Sequence, residues 1–226
     1  MATRRDVNFG ILSTVAAAAA VAAASSEALA QTPQTIALPA PDLAGGKPLM
    51  QAFSQRQSMR DYSDAPLSNQ DLSNLLWAAW GINRPANGGR TAPHWHGILA
   101  LDIYVTRADG VWLYDPKAHK LTFTMAGDLR GQTTTNQAYV ATAPVNLVFA
   151  FDMAKVTPAA TESEKVAASA ACTAVVSQNI YLYCASAGLA TVLRQNVPGP
   201  ALAKALKLAP TQIVEFCQTV GHPKAA

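Results

Sequence analysis

Apolar residues recur at helical spacing in the stretch LSNQDLSNLLWAAWGI, residues 67–82. The residues on one side of this helix are Leu72, Leu75, Leu76, Ala79 and Trp80. Ser68 is a favourable N-cap, and Asp71 three residues later can complete a capping box. Gly81 can end the helix. The pattern therefore predicts an amphipathic helix that begins just after Ser68 and packs one face against a core.

A second helix, predicted from Thr161 to Gly188, lacks this two-sided pattern. No charged residue occurs between Val166 and Leu193, and a helix that is apolar on every side is either buried or crosses a membrane. Its middle contains the polar residues Ser169, Thr173, Ser177, Gln178 and Asn179. These favour a long buried helix packed by small residues, and a subunit interface is a natural place for it.

The rest of the chain alternates between strand and turn patterns. We predict strands at residues 98–106, 144–151, 190–197 and 212–223, a hairpin-like unit at 108–123, a short helix at 199–208 and a long loop at 83–97. The order of helix, strands, long helix, strand, helix and strand is typical of an α+β protein.

The first 50 residues do not continue this pattern. Residues 1–30 have a basic start, an alanine-rich middle and small residues at Ala28 and Ala30, which is the pattern of a cleaved export signal. Arg4 and Arg5 leave the twin-arginine and general secretory routes both open, and an uncleaved membrane anchor is a further alternative. Residues 31–50 predict an extended arm and residues 51–226 one globular domain. We expect a periplasmic or secreted protein, with no stable membrane insertion after cleavage near Ala30.

Charge and cysteine content narrow the function classes. The net charge is only +3 over 226 residues and no basic stripe with interleaved aromatic residues occurs, so nucleic-acid binding is not expected. Cys172 and Cys184 lie in one predicted helix, about 18 Å apart at helical rise, which is too far for a disulfide. We expect these two thiols and Cys217 to be reduced and buried. No CxxC motif occurs, so metal binding by cysteine is not expected.

The stretch RQSMRDY, residues 56–62, carries the clearest candidate chemistry. Arg56 and Arg60 place two permanent positive charges around the hydroxyl of Ser58, close to the start of the first predicted helix. Guanidinium groups bind phosphate through two hydrogen bonds and stay charged, so a phosphate site is one interpretation. Solvated surface charge is the other.

A His–Trp–His triplet, residues 94–96, is the second candidate. In an extended segment His94 and His96 would point to the same side and could begin a metal site. No third or fourth ligand is evident, since His119 and His222 are the only other histidines. Ordinary loop histidines are the alternative, and no metal site is predicted.

Several quoted stretches together resemble the FMN-dependent nitroreductase superfamily. They are RQSMRDYSDAPLSNQDLSNLLWAAWGI, RTAP, QNIYLYCASAGLATVLR and IVEFCQTVGHP, in the order of the family and spanning residues 55–224. Within the superfamily the resemblance is greatest to the branch of azoline dehydrogenases that modify peptides. The resemblance implies a nitroreductase-like α+β fold, with a central antiparallel or mixed sheet flanked by helices.

The resemblance also implies a cofactor, a reaction and a set of site residues. FMN would take up a hydride at N5 and pass electrons on in a ping-pong cycle, at a site between the subunits of a homodimer. The implied cofactor-binding residues are Arg56, Gln57, Ser58, Arg60, Pro93, His94, Gly188, Leu189 and Lys224. Ser58 would bond phosphate or ribityl oxygens, and a backbone amide at Gly188 or Leu189 would lie near N5.

The triplet departs from the family pattern, in which Pro-Ser-x-Gly lies beside the flavin ring. Here the chain reads Pro93-His94-Trp95-His96-Gly97. We predict His94, Trp95 and His96 as the catalytic group, with Trp95 stacking on a substrate or ring and a histidine donating protons. The alternative is a flavin-free binding module that holds a ligand or metal at His94 and His96. The substrate, a small molecule or peptide, is not identified, and NAD(P)H is not the expected donor in an exported space.

Overall fold

A computed structural model describes residues 34–224. The predicted export signal, residues 1–30, lies outside this range. In the described part of the predicted arm Thr35–Ala37 is extended as a strand, whereas the arm's last two residues already belong to the first helix, Leu49–Gln55. Within residues 34–224, no helix has the length and apolar character that a membrane crossing requires.

The described residues form an α+β fold, as predicted. The helices are α1 (Leu49–Gln55), α2 (Asn69–Trp80), α3 (Tyr139–Thr142), α4 (Glu162–Ala187) and α5 (Gly199–Ala205). The strands are β1 (Thr35–Ala37), β2 (Ile82–Arg84), β3 (Gly89–Arg90), β4 (Leu101–Arg107), β5 (Gly110–Asp115), β6 (Lys120–Met125), β7 (Val145–Asp152), β8 (Ala190–Arg194) and β9 (Gln212–Gly221). Seven strands make one antiparallel sheet in the order β1-β6-β5-β4-β7-β9-β8.

Strand β7 explains how this sheet is covered on both faces. Its residues are buried almost throughout, as its continuous apolar sequence predicts. Leu147, Phe149 and Phe151 join the larger core with α2 and α4, whereas Val148 and Ala150 face a second core that includes α5. The sheet therefore separates two layers of helices.

Helix α2 follows the prediction closely. Ser68 and Asp71 form a reciprocal capping box, and Gly81 caps the C-terminus. The five apolar residues predicted to share a face are all buried. Their side of the helix packs against α4 and the sheet.

Helix α4 begins with the capping box of Thr161 and Glu164 and ends at Gly188 in the left-handed conformation. One side is buried on the sheet. The other side is open within the single chain and exposes Ala167, Ala171, Ala174 and Gln178. Spacings of four, three and four place these residues along one stripe.

The segment predicted as a long loop, residues 83–97, contains more structure than expected. Strands β2 and β3 form a small antiparallel hairpin within it. Residues 85–88 supply the turn, in which the Asn87 amide donates to the Arg84 carbonyl and Gly88 has a φ of 71°. A single 3₁₀ turn follows at Trp95–Gly97. These short strands escape periodicity because each is only two or three residues long.

All three cysteines are free and buried, as predicted. Burial raises the pKa of the Cys217 thiol to about 12, and it raises the pKa of Cys184 as well.

Candidate functional site

A cavity of about 560 Å³ lies where α1 ends beside the C-terminus of α4. Its lining includes the predicted residues Arg56, Gln57, Gly188 and Leu189, together with Lys47. The Arg56 amide donates to the Ala52 carbonyl and closes α1, which directs the following chain along the cavity.

Backbone hydrogen bonds hold the candidate phosphate-binding segment, residues 56–62, in place. The Met59 amide donates to the Thr191 carbonyl of β8 at 3.0 Å. The Lys224 amide donates to the Asp61 carbonyl at 3.2 Å, so the end of the chain runs beside the segment that carries Arg60. The structure thus brings residues 56–60 and Lys224 onto adjoining stretches of backbone, although they are far apart in sequence.

The cavity is positively charged. Lys47 and Arg56 line it and no acidic residue does. The Lys47 ammonium donates to the Gln55 side-chain oxygen at 2.7 Å, which is a neutral partner. Among residues 34–224 the only two ion pairs are Arg107–Asp109 and Arg130–Asp128, so neither cation is neutralised there. Arg60 and Lys224 are exposed and add to the same charge.

Tyr181 of α4 lies directly behind Arg56 and Ser58. The Arg56 guanidinium carbon is 5.4 Å from the centre of the Tyr181 ring. The Ser58 hydroxyl is 2.9 Å from the Tyr181 hydroxyl, which also accepts a hydrogen bond from the Leu193 amide at 2.9 Å. The segment 56–62 is therefore fixed to α4 through the side chains of Arg56 and Ser58, and to β8 through its backbone.

Gly188 and Leu189 line the cavity, but their amides are already used. Both donate to the Cys184 carbonyl and cap α4. Both amides therefore serve as donors of the helix C-cap, and the position of one of them near N5 stays a prediction. Gly188 is required at this point because its φ is 75°.

The His–Trp–His triplet lines two other clefts. Pro93, His94 and Trp95 face Ala171 and Val175 of α4 in an almost wholly apolar cleft of about 400 Å³. The Trp95 side chain also borders a neighbouring cleft of about 610 Å³, together with His96 and Glu164. Trp95 therefore forms the wall between the two.

The expected extended geometry of the triplet is wrong. Trp95–Gly97 forms a 3₁₀ turn, and His96 adopts a left-handed φ of 50°. His94 is half-buried, contacts the edge of Trp80 at 5.9 Å between ring centres, and its Nδ1 has no hydrogen-bond partner among the described residues. His96 is exposed beside Trp95. No group of three His, Cys, Asp or Glu side chains able to hold a metal occurs in the range 34–224.

The two halves of the predicted site do not meet within one chain. The triplet contacts α4 around Ala171 and Val175, whereas the basic cavity adjoins Cys184 and Gly188. At 1.5 Å per residue these points are roughly 15–25 Å apart along the helix. Within one chain the basic cavity and the triplet therefore lie against separate parts of α4.

Arg194, the first charged residue after the apolar stretch of α4, is not at the surface. It is 3% exposed and donates only to neutral oxygens. These belong to Thr133, Asn146 and Thr219. Burial lowers the pKa of Arg194. Sequence reasoning also missed Lys47, placed in the arm, and Tyr181, which has no local signal within an apolar helix.

Comparisons with known proteins agree with this fold. The Nitroreductase family model matches residues 53–222. A nitroreductase homologue from Methanocaldococcus jannaschii is 29% identical over 173 residues, which are 70% of this chain and 83% of the relative.

Solved structures extend the comparison. The structure of a nitroreductase homologue from Ralstonia eutropha JMP134 matches with a TM-score of 0.80 at 38% identity, over 85% of this chain and 90% of that chain. The NADPH:FMN oxidoreductase of Vibrio harveyi, solved with NAD⁺, shares the fold with a TM-score of 0.58 at 20% identity, over 78% of this chain and 69% of that chain. The resemblance to the nitroreductase superfamily is confirmed: this chain belongs to the nitroreductase family and is an oxidoreductase of that type.

Proposed function

We propose that this oxidoreductase uses FMN, and that the basic cavity beside the C-terminus of α4 binds the FMN phosphate. The observation that carries the proposal is a cavity lined by Lys47 and Arg56 without any acidic residue. Its volume falls within the usual range of about 300–1,000 Å³ for small-molecule sites. The V. harveyi protein that shares the fold acts with FMN, which supports the same choice.

FMN, when bound, supplies reversible two-electron transfer through its ring. The protein's part is to bind and orient. Arg56 and Lys47 would neutralise the phosphate from the cavity lining, where Gln57 would offer a hydrogen bond. Ser58, Arg60 and Lys224 are not in that lining but lie on the adjoining stretches of backbone, from which they would add a hydroxyl and two positive charges. His94 and His96 can hold or release a proton, and Trp95 restricts the shape of a substrate that enters beside them.

We further propose a homodimer in which one subunit supplies the basic cavity and its partner supplies the triplet. The open stripe of α4 is almost entirely apolar and uncharged, which suits a second copy of the chain. Helix α1 adds Leu49, Met50 and Phe53, which are 61%, 76% and 49% exposed. Such an exposed apolar surface marks an interaction site.

Export is a separate proposal, which rests on the pattern of residues 1–30. Fractionation of the cells that make the protein, with mass analysis of the purified chain, tests it. A periplasmic or secreted chain that begins at Gln31 is expected. A full-length chain in the cytoplasmic fraction would overturn it. The electron donor and the substrate, which is a small molecule or a peptide, are then to be identified by activity assays on the purified chain.

The FMN proposal is tested by absorption spectra and by titration of the purified protein with FMN. We expect close to one FMN per subunit. Arg56→Gln should weaken binding by about ten- to hundredfold, as expected when a charge-assisted hydrogen bond is lost. Arg107→Gln is the matched control, because Arg107 is paired with Asp109 on another part of the sheet. A colourless protein that takes up no FMN would overturn the proposal.

Subunit mixing tests the shared site. Arg56→Gln and Trp95→Ala should each impair both sites of their own homodimer. Exchange of subunits between the two variants creates mixed dimers with one intact site, so catalytic activity with FMN should rise after mixing. No recovery in dimers shown by mass to be mixed would place both residues in the site of the same subunit, contrary to the proposal.

A further inference from the structure

We infer that Tyr181 is a positioning residue for the phosphate end of the site, where it sets the direction of the Ser58 hydrogen bond and the place of the Arg56 guanidinium. The inference rests on the proposed FMN site. It adds a residue of α4 that neither the motifs nor the comparisons assign. Three contacts of Tyr181 carry it, one through the ring and two through the hydroxyl.

One of the two hydroxyl contacts has a direction that is fixed by its partner. The Leu193 amide can only donate, so the Tyr181 oxygen is the acceptor in that 2.9 Å bond. The single Tyr181 proton then has Ser58 Oγ, also at 2.9 Å, as its one partner within hydrogen-bond reach among residues 34–224. Either hydroxyl can be the donor in this contact; in the proposed arrangement Ser58 accepts from Tyr181 and keeps its own proton free. The chain from Leu193 through Tyr181 to Ser58 therefore presents a donor to the exposed side of the segment.

A donor at Ser58 is what an anionic ligand requires. Phosphate oxygens accept hydrogen bonds and cannot donate them when ionised. Each bond in a chain of hydroxyls polarises the next, which strengthens the last donor. Without the Tyr181 hydroxyl, Ser58 would be free to rotate its proton toward other acceptors, and the same serine would bind the anion less well.

The ring contact has a different effect. The Arg56 guanidinium lies over the Tyr181 ring, and no carboxylate among the described residues pairs with it. An aromatic face attracts and orients a guanidinium without neutralising it. Tyr181 therefore holds Arg56 in place while its full charge remains available to a ligand. A carboxylate in the same position would hold the arginine but compete with phosphate.

The test is a double-mutant cycle on FMN affinity, measured by fluorescence titration of wild type, Tyr181→Phe, Ser58→Ala and the double variant. We expect each single substitution to weaken binding by about three- to tenfold. The double variant should be no more than twice as weak as the weaker single one, because the two hydroxyls act as a unit. Tyr181→Leu, which also removes the ring from beneath Arg56, should weaken binding further than Tyr181→Phe.

Tyr183→Phe is the matched control, since it removes a hydroxyl two residues further along the same helix and should leave FMN affinity unchanged. Thermal unfolding of each apoprotein shows that the variants are folded. If wild type binds FMN but Tyr181→Phe binds it equally well, or if the two single effects multiply in the double variant, the role of Tyr181 is overturned while the FMN proposal stands. If wild type itself does not bind FMN, both fall.

Discussion

The buried arginine Arg194 provides a demanding test of how this sheet is stabilised. Its guanidinium makes four contacts of 2.7–3.3 Å with Thr133, Asn146 and Thr219, and it has no acidic partner among the described residues. Arg194→Lys keeps the positive charge but replaces a planar group with five donors by a single ammonium with three. At least one of the four contacts must be lost.

The expected cost follows from those contacts. A buried acceptor left without a partner costs about 1–3 kcal/mol, and one or two are lost here. We therefore expect Arg194→Lys to lower the free energy of unfolding by about 2–4 kcal/mol at pH 7. The assay is urea unfolding followed by tryptophan fluorescence. Arg107→Lys, the same change at an exposed ion pair, should cost less than about 1 kcal/mol.

The pH dependence separates this explanation from simple mispacking. Burial lowers the pKa of Arg194 in the native protein, and a lysine in its place would be lowered in the same way. Between that native pKa and the unfolded value of about 10.4, the unfolded chain holds the extra proton, so stability rises with pH. The deficit of Arg194→Lys relative to wild type should therefore shrink from pH 7 to pH 10. One pKa unit corresponds to about 1.4 kcal/mol of stability. A deficit below about 0.5 kcal/mol at pH 7, or a deficit that does not change between pH 7 and pH 10, would therefore refute the reasoning.

Three further outcomes are expected. Gly188→Ala should destabilise the protein by about 1 kcal/mol in urea unfolding, since a φ of 75° is unfavourable for residues with a Cβ; an unchanged midpoint would contradict this. Thr161→Ala should cost about 1 kcal/mol, because the reciprocal bonds with Glu164 that begin α4 are lost; a loss below about 0.3 kcal/mol would show that the cap is redundant. Cys184 and Cys217 should resist a thiol reagent at pH 8 until the protein is unfolded, because their raised pKa values keep both thiols protonated; rapid labelling of the native protein would contradict their burial.

Periodicity predicts the long elements of this protein well and the short ones poorly. Helix α2 could be placed to the residue, because its caps and its apolar face agree with each other. The hairpin of β2 and β3 could not, since strands of two or three residues carry no measurable alternation. The same limit hides β1, which pairs with β6 and lies within a proline-rich stretch.

The site was predictable where a local motif carries it and not where it depends on packing. Arg56 and Gln57, which are predicted from their local motif, line the basic cavity. Tyr181 and Lys47 reach the same place from distant segments, through contacts that only the fold creates. The separation of the triplet from the cavity likewise depends on where two loops contact α4. The distance between the triplet and the cavity is set by the points at which each contacts α4, and these contacts cannot be inferred from residue types alone.

The position of β9 has a consequence for how the chain is assembled. It is the last strand in sequence, yet it lies between β7 and β8 in the sheet. Strand β8 has no other neighbour there, so it remains unpaired until residues 212–221 have been made. The sheet therefore cannot be completed before residues 212–221 have been made, and its closure depends on contacts between distant segments, which slow folding. Until then β7 keeps one edge without a partner among the described strands, and that edge is open to other chains or to chaperones.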